Sequence, residues 1–273
     1  MLIRYGCKFT ISCIEPTPMV CFLDAREDAP QCGPPRQRFE TSPAVAARTY
    51  RDGYGNTGRR FVIPPGETSI AIDGTIAHDG RPDPVAPEAR EVPVEALPDE
   101  CMPFLLGSRY CDTDRLSQTA WDLFDSTEPG WARVQAICAF THNRLAFDYM
   151  QASETRTACD AFEQQVGVCR DYAHLAVALC RCMNIPARYV SGYLGNFSQM
   201  VHDPLDMNAW IEVYLDQGWL TFDPRHNTPL VGRIAAARGR DAADVPLIHS
   251  FGPHVLTGFE VWTEEAGGPG AAA

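Results

Sequence analysis

The chain has 273 residues, 45 % of them apolar, with 23 Lys plus Arg against 35 Asp plus Glu and a net charge of −12. That length exceeds one core of roughly 100 to 200 residues, so two modest domains are expected. The acidic balance repels polyanions and argues against nucleic acid or an anionic membrane as a main partner, and no apolar run approaches the roughly 18 residues of a membrane span.

From Cys7 to Cys13 the residues alternate, with Cys7, Phe9, Ile11 and Cys13 on one side, as a half-buried strand requires. Met19 to Leu23 reads as a second short strand. Arg60 to Ile63 and Thr68 to Ile76 follow as strands separated by Pro64-Pro65-Gly66, with turn chemistry at Asp73-Gly74 and Asp79-Gly80. The start of the chain is therefore expected to form a small antiparallel β domain. Within it, Gly53-Tyr54-Gly55-Asn56-Thr57-Gly58 fits a dinucleotide fingerprint by letter, but a short strand ended by prolines follows where the fingerprint needs a helix, so the segment reads as a turn.

Residues 81–98 hold five prolines among charged residues, the composition of an extended connector. The expected division is a β domain with its connector over 1–95, a core over 96–263 and a disordered Gly/Ala-rich tail over 264–273. In the core, Leu116 to Phe124 and Trp131 to Leu145 have helical periodicity, separated by Thr127-Glu128-Pro129-Gly130. Asp112 and Asp114 read as a helix-start cluster, not a divalent-ion site, because no further ligands follow at useful spacing. A third helix begins at Cys169. Ala187 to Leu194, Ala209 to Leu215 and Trp219 to Asp223 are the strands, and helices followed by strands make an α+β fold.

Eleven cysteines would suit a disulfide framework only with an even count and a secretory leader. Neither is read here, so a cytoplasmic setting with reduced thiols is expected. The thiol placed for chemistry is Cys169. In Gly167-Val168-Cys169-Arg170-Asp171-Tyr172-Ala173 a small-residue turn leads into a helix that is apolar nearly all round, hence buried. A cysteine in the first turn gains thiolate stabilisation from the helix dipole and the N–H groups there, although packing alone would also account for it.

Downstream, Asn208-Ala209-Trp210-Ile211-Glu212-Val213-Tyr214-Leu215 alternates, with Asn208, Trp210, Glu212 and Tyr214 on the face away from the core. A hairpin centred near Leu215 and Asp216 sets Asn208 opposite Asp223, whereas one centred on Gln217-Gly218 puts Glu212 there; the sequence leaves both open. Trp210, Tyr214 and Trp219 read more readily as packing residues than as a cleft lining. Cys180 and Cys182 read as core rather than metal ligands, Arg170 and Asp171 as a local pair at the helix start, and Arg188, Arg225 and Arg233 as solvated unless they recognise a carboxylate.

The segments Gly167 to Ala173, Asn184-Ile185-Pro186-Ala187-Arg188-Tyr189-Val190-Ser191-Gly192-Tyr193, and Asn208-Ala209-Trp210-Ile211-Glu212-Val213-Tyr214 through Phe222-Asp223-Pro224 together resemble the transglutaminase-like superfamily of papain-type cysteine enzymes. The resemblance is specific within residues 155–228. It implies a Cys–His–Asp triad acting on a peptide or protein amide through a thioester, with Cys169 as nucleophile and Asp223 as orienting acid. It implies no metal or organic cofactor. The position of the base, directly before Ala-Trp, holds Asn208, whose amide cannot accept a proton near neutral pH.

Three readings stay open: His202 or His226 supplies the base; the chain is a catalytically silent binding or scaffold protein; or Cys169 works as a thiolate without a histidine. His174 is read as a packed helix residue, since five positions along a helix turn it about 140° away from Cys169.

Overall fold

The structure is a computed structural model that describes residues 1–29, 31–195, 197 and 207–266. The fold is α+β. Its first half is antiparallel: β1 (Leu2–Cys13), β2 (Thr17–Cys21), β3 (Arg36–Ser42), β4 (Arg48–Arg51), β5 (Thr57–Ile63) and β6 (Gly66–Ala77). Alternation in β1 buries Ile3, Tyr5, Cys7, Phe9, Ile11 and Cys13. These meet Met19 and Cys21 of β2, Phe61 and Ile63 of β5 and Ile70, Ile72 and Ile76 of β6 in one core shared by two four-stranded sheets.

Asp73-Gly74 is not a turn. Both residues lie inside β6, opposite Gly6 and Tyr5 of β1. A Cβ at Gly74 would stand 2.9 Å from the Tyr5 hydroxyl and from the Arg36 carbonyl oxygen, so the glycine serves close approach between strands. The Gly53 to Gly58 segment joins β4 to β5 as a hairpin turn, with Gly55 at φ 75° and the Asp52 carboxylate accepting from the Tyr54 and Asn56 N–H groups.

The second half carries α1 (Thr113–Phe124), α2 (Trp131–Arg144), β7 (Ala146–Phe147), α3 (Ala158–Gln164), β8 (Val166–Gly167), α4 (Cys169–Cys182), β9 (Ala187–Leu194), β10 (Met207–Leu215), β11 (Gly218–Phe222) and β12 (Arg233–Gly239). Strands β11-β10-β9-β12 form an antiparallel sheet, and short β7 and β8 pair in parallel. Helix α4 is buried from Asp171 to Cys182 and packs with Ala209, Ile211, Val213 and Leu215 of β10, the face the alternation assigns to the core. Asp112 precedes α1, as expected, yet its carboxylate accepts from the Thr157 hydroxyl and the Cys159 N–H at the start of α3.

Two further strands return to the first half. β13 (Ile248–Ser250) pairs with β2, and β14 (His254–Glu265) pairs along the whole of β1. The segment read as core up to residue 263 thus completes both N-terminal sheets. Glu264 and Glu265, read as tail, are the end of β14 opposite Arg4 and Ile3, and Arg4 binds the Glu264 carboxylate at 2.9 Å; residues 267–273 lie outside the described residues. Tyr193, Met207, Ile234 and Ala236 join the N-terminal core, and the Tyr193 hydroxyl donates to the Leu23 carbonyl at 2.7 Å. The proline-rich segment is pinned at both ends of the core sheet: Asp83 binds Arg233 and the Leu230 N–H, and the Arg90 N–H donates to the Asp216 carboxylate while its carbonyl accepts from the Asp216 N–H.

Candidate active site

The β10–β11 hairpin has neither register read from the sequence. Leu215 stands opposite Gly218 and Ile211 opposite Phe222, so the loop is Asp216-Gln217. Carried past the end of the strand, this register sets Asn208 against Arg225 and Trp210 against Asp223. Gly218, at φ 93°, takes the left-handed conformation that lets the loop close in two residues.

Cys169 is the first residue of α4 and is only partly buried. Its Sγ lies 3.8 Å from the carbonyl oxygen of Met207, the residue before Asn208. The turn before it is fixed by Asp171, whose Oδ2 accepts from the Val168 N–H at 2.9 Å and from Arg156 at 3.1 Å. A Cβ at Gly167 would stand 2.6 Å from the Asp171 Cβ, so glycine is required there. Arg170 pairs with Asp171 as read, at 3.6 Å, and also binds the Ser153 carbonyl and lies 5.2 Å from the centre of the Tyr110 ring.

Nine of the other thiols are withdrawn from chemistry by burial. It pushes Cys7 and Cys111 up to about 12, and Cys32, Cys101, Cys159 and Cys182 up to about 11. Cys21, Cys138 and Cys180 rise further for the same reason.

Asp223 follows β11 and is 7 % exposed. It caps a single helical turn begun by Pro224: Oδ1 accepts from the Arg225 and His226 N–H groups at 2.9 Å, and the Asn227 N–H donates to the Asp223 carbonyl at 2.8 Å. That turn brings His226 back over the carboxylate, with Nδ1 2.8 Å from Oδ2. Arg233 donates to the same oxygen from Nη2 at 2.8 Å, and its Nε binds both oxygens of Asp83 at 3.0 and 2.8 Å. Four donors fill the acceptor capacity of one carboxylate. Burial alone would raise the pKa of Asp223, but Arg233 and then His226 outweigh it and hold the group below the usual carboxylate range.

Asn208 accepts through Oδ1 from Arg225 Nη1 at 3.2 Å, and the Arg225 guanidinium lies 3.8 Å from the centre of the Phe147 ring on β7. Cys169, Asn208 and Asp223 are thus joined by a chain of contacts through Met207 and Arg225. The three arginines read as solvated are all withdrawn: Arg225 and Arg233 are buried and Arg188 nearly so. Trp210 packs with Val190 and Ala235 beneath the Arg233 guanidinium, 5.1 Å from the ring centre.

His174 is fully buried between Tyr110 and Tyr189, and its Nε2 accepts from the Ala242 N–H at 3.1 Å. Burial, with Arg170 and Arg181 nearby, holds it well below the usual histidine range, hence neutral. His202 lies outside the described residues.

Sequence reading missed Asp83 and the purpose of Arg233, because their partnership spans 150 positions. The dyad of Asp223 with His226 had a local signal: Asp-Pro is an N-cap with proline at the first helical position, and three residues on is the same side of one turn.

Residues 118–224 match the model of the Transglutaminase-like superfamily. The chain is 27 % identical over 238 residues to the uncharacterized protein ML0607 of Mycobacterium leprae, covering 83 % of this chain and 84 % of that one. Over 119 residues it is 31 % identical to the protein-glutamine gamma-glutamyltransferase of Pseudomonas aeruginosa, 38 % of this chain and 18 % of that protein. The crystal structure of a candidate cysteine protease from Cytophaga hutchinsonii superposes with a TM-score of 0.86 at 28 % identity, covering 97 % of this chain and 91 % of that one.

Proposed function

We propose that this chain, whose core belongs to the transglutaminase-like superfamily, is a cysteine hydrolase or acyltransferase acting on amides of a peptide or protein. The observation that carries the reading is Cys169, a partly exposed thiol in the first turn of a buried helix, against the carbonyl that precedes Asn208. In this reading the thiolate attacks the amide carbonyl, and the tetrahedral intermediate expels the amine to leave a thioester on Cys169. Water or a second amine then resolves the thioester. Asn208 cannot move the proton, and the base is assigned to His226. In this reading its Nδ1 faces Asp223, and its Nε2 takes the thiol proton and returns it to the departing amine.

The contact between Asn208 and Arg225 supports a second reading, a catalytically silent binding protein, because it makes position 208 part of a structural polar bond. The two readings separate on iodoacetamide alkylation of Cys169 across pH, followed by mass-spectrometric trapping of an acyl-enzyme from peptide amides. An active enzyme ionises Cys169 below the ordinary thiol value of about 8.5 and accumulates the adduct, and His226→Ala lowers turnover by roughly 10²- to 10⁴-fold with the fold retained. An ordinary alkylation profile with no adduct overturns the enzyme. Full turnover in His226→Ala removes His226 from the mechanism.

A further inference from the structure

On the side of the core sheet where Arg188, Trp210 and Glu212 project, a cavity of about 460 Å³ opens between the β4–β5 turn, the turn at residues 99–104 and strands β9, β11 and β12. It is separate from the chemistry at Cys169: Glu212 behind its wall lies four residues along β10 from Asn208, about 13 Å at strand spacing. Three rings form one side. Tyr54 lies 5.7 Å from Phe104, and Phe104 meets Trp219 edge-on at 5.3 Å.

The other side is a chain of alternating charges. Arg26 holds Asp28 through two bonds of 2.8 Å. Arg238 donates to Asp28 at 2.9 Å and to Glu212 at 3.0 Å, and Arg188 closes the chain on the second Glu212 oxygen at 2.6 Å. Three guanidinium groups therefore share two carboxylates, leaving one positive charge uncompensated; Glu100, on the rim, is exposed and screened by solvent.

The uncompensated charge falls on Arg188. Arg26 places its remaining nitrogen on the Tyr54 carbonyl and on Asn56, and Arg238 spends its donors on Asp28 and Glu212. Arg188 gives Nε and Nη2 to Glu212, lies over the Trp219 ring at 4.0 Å from its centre, and lines the cavity. Among the described residues no acceptor is bonded to its Nη1. A guanidinium only donates, so the occupant must bring acceptors, and the aromatic wall beside it, Tyr54 tilted against Phe104 and Phe104 edge-on to Trp219, favours a flat apolar body. Burial and the neighbouring Arg238 depress the pKa of Arg188 even against Glu212, as expected of a cation short of one anion.

We infer that this cavity binds a planar organic carboxylate, with the carboxylate on Arg188 and the flat group between Trp219, Phe104 and Tyr54. Its volume suits a small organic ligand.

The test is titration calorimetry of the full chain with benzoate and with benzamide, its neutral counterpart of the same shape. Benzoate is expected to bind saturably and benzamide at least about tenfold more weakly, ~1.4 kcal/mol. Arg188→Gln should reduce benzoate affinity by a similar factor. Because that change also disturbs Glu212, Gly53→Phe provides an independent check. Gly53 lines the cavity and a Cβ there meets nothing within 4 Å, so a bulky side chain can be added at the cavity wall without removing any member of the charge chain. Equal affinity for benzamide, absence of saturable benzoate binding, or benzoate affinity unchanged in Gly53→Phe each overturns the inference.

Discussion

Replacing Arg233 by Met removes the guanidinium that joins Asp83 to Asp223 while keeping much of the side-chain volume. Arg233, Asp83 and Asp223 have side chains only 5, 7 and 2 % exposed, so both carboxylates would be left in a dry site without their shared cation. Stranding buried charge in this way costs about 3–5 kcal/mol, a large part of the 5–15 kcal/mol that holds an ordinary domain together. The loss has a defined pH dependence. Asp223 is held below its ordinary value, so its contribution to stability is complete above the unfolded-state value of about 3.9 and is lost as pH falls through the folded-state value. The destabilisation of the variant is therefore expected in full at pH 7 and to shrink as pH falls below about 4, where the parent begins to lose the contribution of Asp223. Urea unfolding of parent and variant at pH 7, 5 and 3.5 measures it. A loss under 1 kcal/mol at pH 7, or one equally large at pH 3.5, would show that packing rather than charge holds this cluster together.

Two other substitutions probe the elements around Cys169. Gly167→Ala places a methyl group 2.6 Å from the Asp171 Cβ and 2.7 Å from Oδ2, so Asp171 must leave the Val168 N–H. A stability loss of about 1–3 kcal/mol in urea unfolding is expected, with slower alkylation of Cys169. Asn208→His puts at this position the residue type that the resemblance implies before Ala-Trp, but Asp223 already accepts four hydrogen bonds and has no capacity for another histidine. The single change is expected to leave peptide-amide turnover unchanged, and Asn208→His with His226→Asn to exceed His226→Asn alone, as read by release of the amine.

The fold was legible where one face of an element is buried and the other is not. β1 follows its alternation, and α1 and α2 their helical period; the odd positions of β10 pack on α4 as its alternation assigns, although its other face is buried too, beneath the arginine clusters. Elements without that contrast escaped. β4 is exposed throughout, β12 is buried throughout and built largely from alanine, and α3 has seven residues, too few to show a period. β14 pairs with β1 across some 250 positions, a partnership that no local pattern in His254 to Glu265 encodes.

The site shows the same division more sharply. Cys169 and Asp223 were readable because each depends on its own neighbours, a turn that feeds a helix in one case and an Asp-Pro cap in the other. The registers proposed for the hairpin failed because one placed Leu215 and the other Gly218 in the loop, whereas these two residues pair with each other and Asp216-Gln217 makes the turn. That shift of the turn carries Arg225 to the position facing Asn208. An amide there can accept from a guanidinium, as Oδ1 does, whereas a protonated imidazole would meet a cation. Asn208 and Arg225 thus suit each other as a pair, and the histidine that can face Asp223 stands one helical turn beyond it, at position 226. The residue type at 208 consequently does not decide by itself whether the chain is an enzyme. That question passes to the Nε2 of His226 and the Sγ of Cys169, the two atoms the alkylation and turnover measurements address.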